Sequence, residues 1–219
     1  FGAFFMNIKR VIIDNSSFVT NGWGGSYRSA QGSAIYVTSA PVTARNTKFV
    51  ANSIKHPASG GTVSLVNASG GSAFTNCLWL ANGNNWYGAF GNGGHSGALF
   101  VNLSSSADKV DLDHCTFAYN IEGSKDNYEK GVQQYPAPAG LYIYQGSAKV
   151  RNSIFWGNSI SSDNTAAADV YLHSNGSADI DYTLFGGLGK DYINSYSGGR
   201  MVLGDHIVVG DPNFVTRPE

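Results

Sequence analysis

Short runs in which apolar residues alternate with variable ones recur along this chain, and none of them follows the 3.6-residue period of a helix. The most regular marker is a bulky aromatic residue followed by asparagine three places later. It reads "FVTN" from Phe18, "FVAN" from Phe49, "WLAN" from Trp79, "FAYN" from Phe117 and "FWGN" from Phe155. Phe185 keeps the spacing without the asparagine. The anchors lie 30 to 38 residues apart, a period that signals repeat architecture.

Two further alternating runs precede each anchor. The first runs read "AFFMN", "AIYVT", "VSLVN", "ALFVN", "LYIYQ" and "VYLHS", from Ala3, Ala34, Val63, Ala98, Leu141 and Val170. Their first and third residues are apolar throughout, which predicts that these positions face inward. The second runs start at Val11, Val42, Ser72, Val110, Ala148 and Ala178 with the same parity. Glycine clusters separate the runs, and no segment has the length and capping of a helix. The pattern predicts an all-β fold, a parallel β-solenoid of about six coils with three short strands per coil. Equivalent strands then lie about 4.8 Å apart from coil to coil.

In such a stack Phe18, Phe49, Trp79, Phe117, Phe155 and Phe185 form an internal aromatic ladder. Asn21, Asn52, Asn82, Asn120 and Asn158 occupy the turn after the third strand, where an asparagine tolerates a left-handed backbone and bonds its amide to the next coil. Both ladders are read as architectural.

The FxxN repeat resembles the right-handed parallel β-helix of polymorphic outer membrane proteins and related autotransporter-like surface proteins. The resemblance covers nearly the whole chain. A Gly-Gly-Ala entry to the first strand is approximated by "GSAI" at 32–35, "SGAL" at 96–99 and "AGLY" at 139–142, and "GDPNFV" at 210–215 is similar to an element that follows the coils in secreted β-helix proteins. The resemblance implies a right-handed helix at the cell surface or outside the cell. It is expected to form one domain over 1–219, with 186–219 following the last clear coil. Since neither end offers an amphipathic cap, the natural polypeptide is expected to extend beyond Phe1 and past Glu219.

Composition adds exclusions. A net charge of -1 gives no field for capturing polyanions, so nucleic acid is not an expected partner. No apolar run reaches the length of a transmembrane helix. No HxxxH or CxxC spacing marks a metal site, neither metal nor cofactor is expected, and no nucleophile triad can be assembled.

Asp111 with Asp113 and Asp179 with Asp181 have the spacing of paired carboxylates, the equipment of glycoside hydrolysis or calcium binding. In register, however, Lys149 and Arg151 fall between them, as Arg45 follows Asp14. Alternating charge then reads as a device that sets register. Cys77 and Cys115 occupy equivalent inward positions in adjacent coils, within reach of a disulfide or simply packed as thiols.

The outward face of the first strands carries the remaining signal. The alternation assigns Phe4, Ile35, Ser64, Leu99, Tyr142 and Tyr171 to one outward column and Met6, Val37, Val66, Val101, Tyr144 and His173 to the next. Long loops entering this sheet bring Trp86, Tyr87, Tyr128 and Tyr135. Aromatic residues at a surface suit sugar rings or a protein partner, so Tyr142, Tyr144 and Tyr171 with these loop residues are the candidate binding set. The favoured function is a noncatalytic extracellular adhesion module that binds a glycan or protein surface. A β-helical polysaccharide lyase or hydrolase and a structural segment of a surface filament or stalk are the alternatives.

Overall fold

Alternating apolar residues give strands that bury one face, and repetition lets each strand pair with its equivalent one repeat later. The computed structural model describes residues 2–23, 32–54, 60–85, 97–123, 138–160, 168–189, 191–195 and 198–214. All the paired strands given for these residues are parallel, and no helix occurs among them. The strands form three sheets of twelve, seven and five strands.

The twelve-stranded sheet collects the first and second runs of every repeat. They are separate strands early in the chain, as in Ala3–Met6 and Val11–Asp14. In the fifth and sixth repeats they fuse into the continuous strands Leu141–Arg151 and Val170–Asp181. The seven-stranded sheet carries the anchors, from Ser17–Val19 to Val208–Val209. A third sheet was not legible as a run: Gly22–Trp23, Ser53–Ile54, Gly83–Asn85, Ile121–Gly123 and Ser159–Ile160 pair in order just after the asparagines. Five of the repeats therefore have a short segment beyond the three expected strands. Within 186–219, Ile193–Ser195, Arg200–Leu203 and Val208–Val209 add one further rung to the two larger sheets.

The core follows the anchors. Rings of Phe18, Phe49, Trp79, Phe117, Phe155 and Phe185 stack in sequence, with centroids 5.3, 5.1, 4.5, 4.7 and 5.2 Å apart. Residues of the second runs, among them Val42, Phe74, Leu112, Val150 and Ile180, are buried with the expected parity.

The asparagines form a buried hydrogen-bonded run. Asn52, Asn82 and Asn120 each donate their side-chain amide to the next asparagine at 2.9–3.0 Å and also to a backbone carbonyl one repeat back, at Phe18, Phe49 and Trp79. Their own carbonyl oxygens accept from the preceding asparagine's backbone N–H and amide. Every polar valence of these amides is thereby used. The left-handed backbone lies one residue earlier than expected, at Thr20, Ala51, Ala81, Tyr119 and Gly157. A second left-handed corner precedes each anchor, at Asn15, Asn46, Asn76, His114, Asn152 and Tyr182.

The phase of the first runs differs in two repeats. Ala3 pairs with Ile35, Ile35 with Val63, Leu99 with Val63 and Leu99 with Leu141. Ile35, Val37, Leu99 and Val101 therefore point into the core and are fully buried, and the outward positions pass to Tyr36 and Phe100. The physical reason is that "SAIYV" and "GALFV" are apolar at consecutive positions, so alternation alone does not select the phase. A slip of one residue exchanges the two faces of a strand.

Cys77 and Cys115 are buried free thiols. The neighbouring Cys77 thiol and burial push the Cys115 thiol well above the ordinary range. Both sulfurs also contact the carbonyl two residues upstream, as the hydroxyls of Thr47, Ser153 and Thr183 do, so thiol and hydroxyl perform one corner-capping role.

Candidate binding face

With the phase corrected, the outward column of the first-run strands reads Phe4, Tyr36, Ser64, Phe100, Tyr142 and Tyr171. It is a second aromatic column, on the other face of the strands that wall the core. Phe4 and Tyr36 stack at 5.0 Å. Phe100, Tyr142 and Tyr171 form a separate buried cluster with Val66 packed against it, their rings tilted at 5.5 and 5.7 Å.

Burial divides the candidate residues. Tyr142 is 1% exposed and Tyr171 3% exposed, whereas Tyr144 is 38% exposed. Desolvation raises the pKa of Tyr142, so its hydroxyl stays protonated. Tyr142 and Tyr171 thus hold the face together from within, and Tyr144 presents its ring outward. Trp86, Tyr87, Tyr128 and Tyr135 lie outside the described residues.

A break in register displays Tyr144. Ile143 pairs with Leu172 and Gln145 with Asn175, so Tyr144 is left over on one strand and His173 and Ser174 on its neighbour. Extra residues of this kind bend the strand and re-aim side chains. The rings of Tyr144 and His173 stack at 4.4 Å with 22° between planes, and Tyr142 supports Tyr144 edge-on at 6.3 Å. Burial lowers the pKa of His173, which favours a neutral imidazole, and its Nδ1 lies 3.1 Å from Ser174 Oγ. The pair forms a stacked aromatic platform.

The carboxylates follow the expected registers, Asp111 to Lys149 to Asp179 and Asp113 to Arg151 to Asp181. The bonds themselves run partly on the diagonal. Arg151 donates to the Asp179 carboxylate at 2.8 Å and to its backbone carbonyl at 2.7 Å. Asp181 instead accepts from the backbone N–H of His206 at 2.9 Å, with the His206 ring 3.3 Å away and stacked on Tyr182. No spacing motif in the sequence joins His206 to Asp181, 25 residues away. The Asn152 amide, 2.8 Å from Asp113, holds that carboxyl below its usual range, and His114 assists.

Among the described residues no three metal-binding side chains converge, and no helix is long and apolar enough to cross a membrane. No family model, curated protein or solved structure matches the chain.

Proposed function

We propose that the chain is a right-handed parallel β-helix of about six coils belonging to a cell-surface or secreted protein, similar in kind to polymorphic outer membrane and autotransporter-like proteins. Its function in this reading is noncatalytic binding of an extracellular glycan at the outward face of the fourth to sixth repeats. The observation that carries the reading is the stacked Tyr144–His173 pair, set out of register on adjacent strands and braced by buried Tyr142. A flat ring fixed on a sheet meets the apolar face of a sugar at small entropic cost, while the phenol and imidazole edges bond hydroxyls.

Three of the four paired carboxylates have structural partners, Asp179 in Arg151, Asp181 in His206 and Asp113 in Asn152, while Asp111 meets Lys109 through one oxygen. Neither pair keeps both members free, which favours binding over hydrolysis. The test is a glycan array probed with the intact chain and with Tyr144→Ala, together with hydrolase and lyase assays on the same glycans. Binding that falls at least tenfold in the variant supports the reading. A protein ligand with no glycan hit, turnover of any glycan, or equal binding of every glycan by both forms would overturn it; no binding by either form favours the stalk reading, and equal binding confined to acidic glycans points to a site away from Tyr144.

A further inference from the structure

The second-run half of the large sheet carries a feature that the aromatic platform does not use. An open trough of about 450 Å³ crosses the fourth to sixth repeats and the added rung Arg200–Leu203. One column along it is Lys109, Ser147, Ser177 and Arg200; the adjacent column is Asp111, Lys149, Asp179 and Val202. Two serines lie between two long cations, which makes the depression. Three steps of about 4.8 Å separate Lys109 from Arg200, so the cations stand about 14 Å apart along the stack, longer than one sugar ring.

The charges in the trough are only partly spent on one another. Asp179 is held from outside by Arg151 at 2.8 Å, and Asp111 meets Lys109 at 3.9 Å through one oxygen only. The other oxygen, Oδ1 of Asp111, is buried without a hydrogen-bond partner among the described residues. Lys149 and Arg200 are exposed and form no ion pair among those residues. Register does not require this arrangement: in the first three repeats the Asp111 column is Ile12, Thr43 and Ala73, and those strands pair equally well.

We propose that this trough binds an acidic saccharide, with Lys149 and Arg200 on its anionic group, Ser177 on the ring and the half-exposed Asp111 carboxylate accepting a hydrogen bond from a hydroxyl. Cations alone would attract any polyanion. A carboxylate oxygen set among them is the acceptor that sugar hydroxyls need and that an anion repels. The chemistry is shared by uronates and sulfated sugars. The site is separate from the Tyr144 platform and does not depend on it.

The experiment is calorimetric titration with hexagalacturonate, a heparin hexasaccharide and neutral maltohexaose. The proteins are the full chain, Lys149→Ala with Arg200→Ala, Asp111→Asn, and Lys48→Ala as a cation on the neighbouring sheet; circular dichroism and melting confirm each fold. The expected result is binding of at least one acidic oligomer, weakened tenfold or more by the double variant and left unchanged by Lys48→Ala. The arm that shows it identifies carboxylate or sulfate. Asp111→Asn is expected to weaken the same binding several-fold. Tighter binding by Asp111→Asn, equal loss in Lys48→Ala, or no binding of either acidic oligomer would overturn the proposal. Loss of glycan binding in Tyr144→Ala alone leaves it intact, so the two sites fail separately.

Discussion

Asn158 donates its side-chain amide to the buried carboxyl of Asp169 at 2.8 Å, at the step where the run of asparagines ends. The sixth repeat has no asparagine after Phe185, and Asp169, 1% exposed, supplies the acceptor in its place. Its backbone N–H donates to Tyr192 and its carbonyl accepts from Leu141. Burial pushes its pKa up to about 7, a rise the Asn158 bond only partly offsets.

A pH dependence follows. The folded-state pKa lies above that of the unfolded chain, so the folded protein holds this proton more tightly. Asp169 therefore contributes stability that is complete below about pH 4 and is lost as the pH rises through about 7. The melting temperature is expected to carry a falling component between pH 5 and 8. Asp169→Asn should remove that component while continuing the asparagine run. A variant with the parent's full pH profile would show that Asp169 is not the titrating group.

The interior of the run should be far more sensitive than its exposed counterpart. Truncating Asn82→Ala removes bonds to the Asn52 backbone and amide, to the Phe49 carbonyl and to Asn120. Each buried group left unpaired costs about 1–3 kcal/mol, so a total above about 3 kcal/mol is expected from denaturant unfolding. Asn46 bonds Asn15 and Asn76 at an exposed left-handed corner. Asn46→Gly, which keeps that backbone conformation, should cost about 1 kcal/mol or less. Similar costs at the two sites would contradict the assignment of the buried run as structural.

These two asparagine columns also show what the sequence made legible. The anchor and asparagine spacing is long, periodic and bound to side-chain chemistry, so it predicted the aromatic stack, the amide run and the alternating charges in register. The phase of the first runs was not recoverable at Ile35 and Leu99, because their neighbours are apolar on both sides and either face could be buried. Strands as short as Ser53–Ile54 have no period to detect. Asp169 and His206 complete contacts from outside the repeat pattern, so nothing in that pattern points to them. At the binding face the composition was legible, but the division between buried Tyr142 and exposed Tyr144 depends on an inserted residue that only pairing reveals.

The charge column gives a screening test. Arg151→Asp removes the bond to Asp179 and stacks three carboxylates, at Asp113, the new site and Asp181. Like charges directly opposite destabilise by roughly 0.2–1 kcal/mol per pair. A lower melting temperature, partly restored by salt, is expected. A loss that salt does not touch would instead identify the Arg151 bond to the Asp179 carbonyl as the dominant contribution.

The final prediction separates holding from binding within one aromatic face. Tyr142 is enclosed by Phe100 and Tyr171 and braces Tyr144 edge-on, so Tyr142→Ala empties a packed position. Large aromatic truncations in a core cost about 3–5 kcal/mol, and the loss should appear in unfolding with or without ligand. Tyr144 occupies the register break and its outer surface is free of that cluster, so Tyr144→Ala should change stability by about 1 kcal/mol or less. Its cost belongs in binding instead, about 2 kcal/mol where the platform is a hot spot. Tyr142→Phe provides the control: it keeps the ring against its neighbours and should preserve both stability and binding. Should Tyr144→Ala destabilise the fold as much as Tyr142→Ala, the displaced tyrosine would be a packing element, and the binding surface would have to be sought elsewhere on the chain.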